Sequence, residues 1–300
     1  MKKKLGIVLA VVATAVISIV SLVGCAKPDT DLKTPTAQTD ALMDVQANQA
    51  DIAIVDGVFA GYTLAQEGNS YDKLTIIELE DFKPEAESYG VAAKKGKTKL
   101  MNFINKRLYE IKDTDYKEIC KKYGLQSRAV EFAAPTGEWE DWKSEIVNNT
   151  ITIGFTIAPP YGMGSNEAPE GFDFDLAKAV FADQGITIKG KVIEWDSKFD
   201  ELNSNAIDLV WNGMTIRKGF EDKAEISVPY LTNEQVIVAR KDKANSYKKI
   251  EDLKGCIISV EKGSAGNNEA LKIFNTIDNE VFAAWLEKNP EQKTVWEEIK

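Results

Sequence analysis

Two strand tips carry the residues best able to do chemistry. The stretch Ala206-Ile207-Asp208-Leu209-Val210-Trp211-Asn212-Gly213-Met214-Thr215 has no charge after Asp208. It reads as a strand buried on both faces. It stops at the turn signal Asn212-Gly213 and then presents Thr215. Ala50-Asp51-Ile52-Ala53-Ile54-Val55-Asp56-Gly57 has the same grammar, an apolar run ending in a polar residue and Gly. A third stretch, Gly263-Ser264-Ala265-Gly266, opens a helix and offers backbone N–H groups, a ready carboxylate site. The chemistry on offer is charge-assisted hydrogen bonding. The chain has no His, and no metal-ligand cluster or Ser–base pair stands out. Ligands of open α/β sheets collect where strands end, so two similar tips imply two similar lobes facing one ligand.

The net charge of −10, from 37 basic and 47 acidic residues, argues against nucleic acid as a partner. Met1-Lys2-Lys3-Lys4 followed by Leu5 to Val23 is a basic segment and an apolar segment, long enough to be misread as a membrane span. Its ending, Leu22-Val23-Gly24-Cys25, then polar Ala26-Lys27-Pro28, resembles a bacterial lipobox. That resemblance implies a signal peptide over 1–24 and a lipid-modified Cys25, with the protein held on the outer face of the cytoplasmic membrane. Cys120 and Cys256 fall in different lobes and are expected as buried thiols.

Along the chain, residues 25–31 form a tether. A short strand near Leu32 to Pro35 and a helix over 40–48 capped by Asp40 follow. Further helices are expected over 58–66, 98–111 and 115–123. The apolar spacing of Trp139, Trp142 and Ile146 predicts a short helix over 138–149. Strands are expected over 52–55, 74–79, 89–93, 150–155, 191–194, 235–239 and 256–260. Helices capped by Asp173 and Asp196 are expected over 173–181 and 198–202, and the chain closes with helices over 267–274, 282–289 and 293–299. Strands alternating with helices say α/β, with mostly parallel sheets.

Gly171-Phe172-Asp173-Phe174-Asp175-Leu176, the two strand tips, Gly263 to Gly266 and Tyr89-Gly90-Val91-Ala92 together resemble the polar amino-acid substrate-binding proteins of bacterial ABC importers. The resemblance implies the type II periplasmic-binding-protein fold: two Rossmann-like lobes joined by two hinge strands. The blocks stand out of family order. The family's ending occupies 32–126 and its beginning 148–300, which reads as a circular permutation with 127–145 joining the old termini. Lobe 1 is then 88–240, and lobe 2 is assembled from 32–87 and 241–300. The hinge crossings fall at 89–93 and 235–239.

The resemblance makes Asp56 the partner of a ligand ammonium; a strand-end Asp also caps helices. It gives ligand contacts to the Gly213 carbonyl, to Thr215, and to Ser264, Ala265 and Gly266 at the helix start. The family's carboxylate-binding Arg falls where this chain has Phe220, so Arg217 is the substitute, with Lys218 as competitor; a surface role for Arg217 is the other reading. Phe199 matches a ligand-contacting aromatic or is a core residue, and Tyr161 is pocket wall or loop packing. Trp195 and Trp211 read as core. The function implied is capture of a small polar solute, an amino acid, and its delivery to an ABC permease, without cofactor or metal. Two alternatives come from other classes: a cyclohexadienyl dehydratase-like lyase on the same fold, and an extracellular sensor module.

Overall fold

The computed structural model describes residues 29–300 apart from Glu67 and Asn69. The expected leader over 1–24 and Cys25 lie outside the described residues. The architecture is α/β, with two five-stranded sheets. In the first sheet the order is Asp31–Lys33, Ile257–Ser259, Ile52–Asp56, Gln235–Arg240, Leu74–Ile77. In the second it is Ala224–Ile226, Ala92–Lys94, Leu209–Val210, Thr150–Phe155, Thr187–Val192. Both sheets are mixed, not mostly parallel as the alternation of elements suggests. In each, three adjacent strands pair in parallel, and four of the five run in one direction. The reversed strands are Gln235–Arg240 in one sheet and Ala92–Lys94 in the other, each antiparallel to both of its neighbours.

Those reversed strands have one cause. The chain passes between the sheets twice, along the antiparallel pair Glu87–Tyr89 and Leu231–Asn233. Each crossing then runs on into the sheet it enters. The crossings expected at 89–93 and 235–239 therefore sit a few residues earlier, and Gln235–Arg240 lies wholly within the first sheet.

Ile52, Ala53, Ile54 and Val55 are buried on both faces, as an uncharged run in a helix-covered sheet must be. The tip at 206–215 contributes only the two-residue strand Leu209–Val210. The helix expected over 138–149 shrinks to the 3-10 turn Trp142–Glu145. Asp141, Asn148 and Asn149 take positive φ, which a helix cannot absorb. Trp142 still finds a core partner, stacking on Phe103 at 4.1 Å. The helices expected to be capped by Asp40, Asp173 and Asp196 begin otherwise. They have Ala37, Gly171 and Ser197 at the N-cap, none with a side-chain capping bond. Gly171 is required there: at φ 116° a Cβ would lie 2.3 Å from the Tyr161 carbonyl oxygen.

Cys120 and Cys256 are both buried. Leu32 packs in one core cluster with Phe282 and Leu286, and Val295, Trp296 and Ile299 lie against it. The Trp285 indole N–H donates to Asp31 Oδ1 at 2.8 Å. The first described strand and the last helices thus share one core. Among the described residues no helix is long and apolar enough to cross a membrane.

Candidate functional site

A narrow polar cavity lies where the loops of the two sheets face one another. The first unit brings Gln38, Asp56 and Glu261, and the start of the helix Ala265–Ile277. The second brings Lys198, Gly213, Thr215 and Arg217, with Trp195 and Phe220 as apolar wall.

Asp56 ends the buried strand Ile52–Asp56, so its side chain emerges at the sheet's edge while remaining only 7% exposed. Gln38 holds it twice: its Nε2 donates to Asp56 Oδ2 at 2.8 Å, and its Oε1 accepts from the Asp56 N–H at 2.9 Å. The Gln235 amide donates to Asp56 Oδ1 at 2.6 Å and to Glu87 Oε2 at 3.0 Å. Asn233 on the crossing strand also donates to Glu87 Oε2, at 3.0 Å. Asp56 and Glu87 are thus tied together at the hinge through shared amides. Burial raises the Asp56 carboxyl above its ordinary range, against the pull of its hydrogen bonds. Burial, then the Asp56 charge, raises Glu87 to about 7.

The opposite wall supplies the positive charge. Arg217 lines the cavity with its guanidinium 5.6 Å from the Phe220 ring centroid. Lys198 is buried; its ammonium donates to the Trp195 carbonyl at 3.0 Å and reaches over to the Gly263 carbonyl at 3.4 Å. Burial, then the Arg217 charge, lowers Lys198 to about 7. Carboxylates and cations facing each other across a partly dry cleft suit a small molecule carrying both signs of charge.

Gly213 and Thr215 also line the cavity. Gly213 takes φ 60°, and its N–H is held from behind by Asp173 Oδ2 at 2.8 Å and Tyr230 Oη at 3.1 Å. Thr215 Oγ1 donates to Glu87 Oε2 at 3.3 Å. Ser264 caps the helix Ala265–Ile277, accepting from the Asn267 N–H at 3.1 Å, and Ser264 and Ala265 reach the cavity.

Three expected site residues are elsewhere. Gly266 is buried against the first sheet, where a Cβ would stand 2.5 Å from the Ile54 carbonyl oxygen. Its role is close packing of helix on strand. Tyr161 is wholly buried beneath Gly213, with its ring edge-on to Tyr89 at 5.4 Å. It belongs to the core, because the loop before it folds inward under the strand tip. Phe199 does not line the cavity; it packs edge-on against Phe220, which does, at 4.8 Å. Trp195, read as core, forms part of the cavity wall, while Trp211 is core.

Sequence reasoning missed Gln38, Glu87, Lys198 and Glu261. Glu261 had a signal: it follows the apolar strand Ile257–Ser259 much as Asp56 ends Ile52–Asp56. Lys198 opens a short helix three residues after Trp195, and nothing in its local sequence marks it as buried.

Residues 151–289 match the family model of bacterial extracellular solute-binding proteins, family 3. The chain is 34% identical over 112 residues to the ABC transporter arginine-binding protein 1 of Escherichia coli, covering 37% of this chain and 45% of that protein. It is 32% identical over 164 residues to a probable histidine-binding protein of Neisseria gonorrhoeae, covering 53% of this chain and 60% of that one. It is 34% identical over 119 residues to the L-cystine-binding protein TcyA of Bacillus subtilis, covering 38% and 43%. The chain therefore spans about half the length of the curated relatives it matches. Over residues 151–289, which include the cavity's Lys198, Arg217 and Glu261, this chain resembles the bacterial extracellular solute-binding proteins of family 3.

Proposed function

We propose that the protein is a non-catalytic receptor that captures an amino acid between its two lobes outside the cytoplasm and delivers it to an ABC permease. The observation that carries this reading is the cavity itself. Asp56 comes from the side of one sheet, Arg217 and Lys198 from the side of the other, and all three line one cavity. A zwitterion bridging them contacts both lobes at once, so the ligand favours the closed arrangement by its differential affinity for it. The type of solute follows from the matched relatives, whose names state arginine, histidine and cystine.

In this reading the chain order is a circular permutation of the family's, with 32–87 and 241–300 forming one lobe. The shared core of Leu32 and the last two helices supports it. A calorimetric titration against the twenty amino acids tests the function. At a hundredfold excess over Kd, a ligand should add about 2.7 kcal/mol of stability, visible as a rise in Tm. No heat and no Tm shift with any of the twenty would end the proposal.

The lipobox-like Leu22-Val23-Gly24-Cys25 supports a lipid anchor at Cys25 as part of this reading. Membrane-fraction protein from a bacterial host should yield a lipidated N-terminal peptide starting at Cys25. Unchanged lipid labelling of Cys25→Ala would refute the anchor.

A further inference from the structure

We infer that the cavity is built for an amino acid whose side chain is itself cationic, and that Glu261 receives that second positive group. The inference rests on the solute-binding reading and narrows its ligand. Glu261 lines the cavity, is 2% exposed, and its Oε1 has no hydrogen-bond partner among the described residues. A buried carboxylate oxygen without a donor is costly, so native structures rarely leave one empty without a reason. A donor on the ligand supplies the reason.

Lys198 faces Glu261 from the other lobe, but its ammonium is engaged by the carbonyls of Trp195 and Gly263 and lies over the Trp195 and Phe199 rings at 4.9 and 5.4 Å. Its charge offsets Glu261 only through space.

With Asp56 on one wall of the cavity and Arg217 and Lys198 on the other, Asp56 takes the α-ammonium, Arg217 and Lys198 take the carboxylate, and Glu261 takes the side-chain cation.

Burial holds the empty site's Glu261 carboxyl well above the usual range, with the neighbouring Asp56 charge adding to the rise and Lys198 opposing it. A bound cation favours the ionised form, so binding at neutral pH should release a proton.

Titrate L-arginine, L-lysine, L-glutamine and L-glutamate by calorimetry, in two buffers of different ionisation enthalpy, into the mature chain and into Glu261→Gln. The better of arginine and lysine should bind at least about tenfold tighter than glutamine or glutamate, a difference of about 1.4 kcal/mol. Its observed heat should depend on the buffer. Glu261→Gln should erase most of that preference and the buffer dependence. Glutamine or glutamate binding as tightly as the better cation overturns the inference while sparing the solute-binding reading. A preference that survives in folded Glu261→Gln overturns the role of Glu261. Binding of none of the four overturns the inference, and silence across the full amino-acid set overturns the broader reading with it.

Discussion

Asp56→Ala should weaken binding of the amino-acid ligand by about thirtyfold to several thousandfold, the equivalent of about 2–5 kcal/mol for breaking a buried charge pair. The site leaves Asp56 no easy substitute. Its carboxylate is 7% exposed and is gripped by Gln38 and Gln235, which fix both oxygens at the cavity wall. A ligand ammonium brought there has lost its water and finds in the variant only amide dipoles. Asp56→Asn keeps the shape and removes the charge, and should lose most of the same affinity. Folding should survive both changes. Removing a desolvated carboxylate relieves a cost, while leaving the Gln38 and Gln235 amides unpaired adds about 1–3 kcal/mol for each group left unsatisfied. Circular dichroism and thermal melting report the fold, and calorimetry reports the ligand. Wild-type affinity in folded Asp56→Ala would mean that the ammonium is held elsewhere.

Asp173→Asn should flatten the dependence of stability on pH. Asp173 is fully buried behind Gly213, and Tyr230 Oη donates to its Oδ2 at 3.0 Å. Its other oxygen has no partner among the described residues. Burial pushes its carboxyl up to about 8, against the hydrogen bonds from Gly213 and Tyr230. The folded state thus holds a proton that the unfolded state gives up near 3.8, the ordinary value for an Asp carboxyl. Between those pH values the folded state binds more protons, so this group's contribution to stability is fully present below about 4 and is lost as pH rises through about 8. Each pKa unit is worth about 1.4 kcal/mol, which makes the loss several kcal/mol. The Asn side chain accepts from Gly213 and Tyr230 in the same geometry and has no proton to lose. Urea unfolding of both proteins at pH 5 and pH 8 measures it: the wild type should lose more stability than Asp173→Asn over that interval. Equal losses would show that Asp173 is ionised in the folded state at no cost.

The same residue shows what sequence pattern reads and what it misreads. Asp173 begins a helical segment, and a helix cap is the local explanation for an Asp there. The helix starts one residue earlier, at Phe172, with Gly171 at the N-cap, because only glycine tolerates φ 116° against the Tyr161 carbonyl. Asp173 is thereby turned inward under Gly213. Tyr161 follows the same logic: an aromatic after two prolines reads as a loop residue at a pocket, and tertiary packing draws it into the core. Phe199 and Lys198 are neighbours on one short helix, and the lysine is the one directed into the cavity.

By itself the sequence determined the α/β class, the doubly buried strands at Ile52 to Val55 and Leu209-Val210, the placement of Asp56 at one strand end and of Gly213, Thr215 and Arg217 beyond another, and the two buried thiols. These follow from local periodicity and turn chemistry, which act over a few residues. Tertiary structure alone decided the mixed sheets, where the chain crosses between them, and which charges meet. Gln38, Asp56 and Gln235 form one hydrogen-bonded set although 179 residues separate the last two. Glu261 and Lys198 come to one cavity from the sides of two different sheets. Such partnerships depend on how far burial strips water from each group, and no window of sequence contains that quantity.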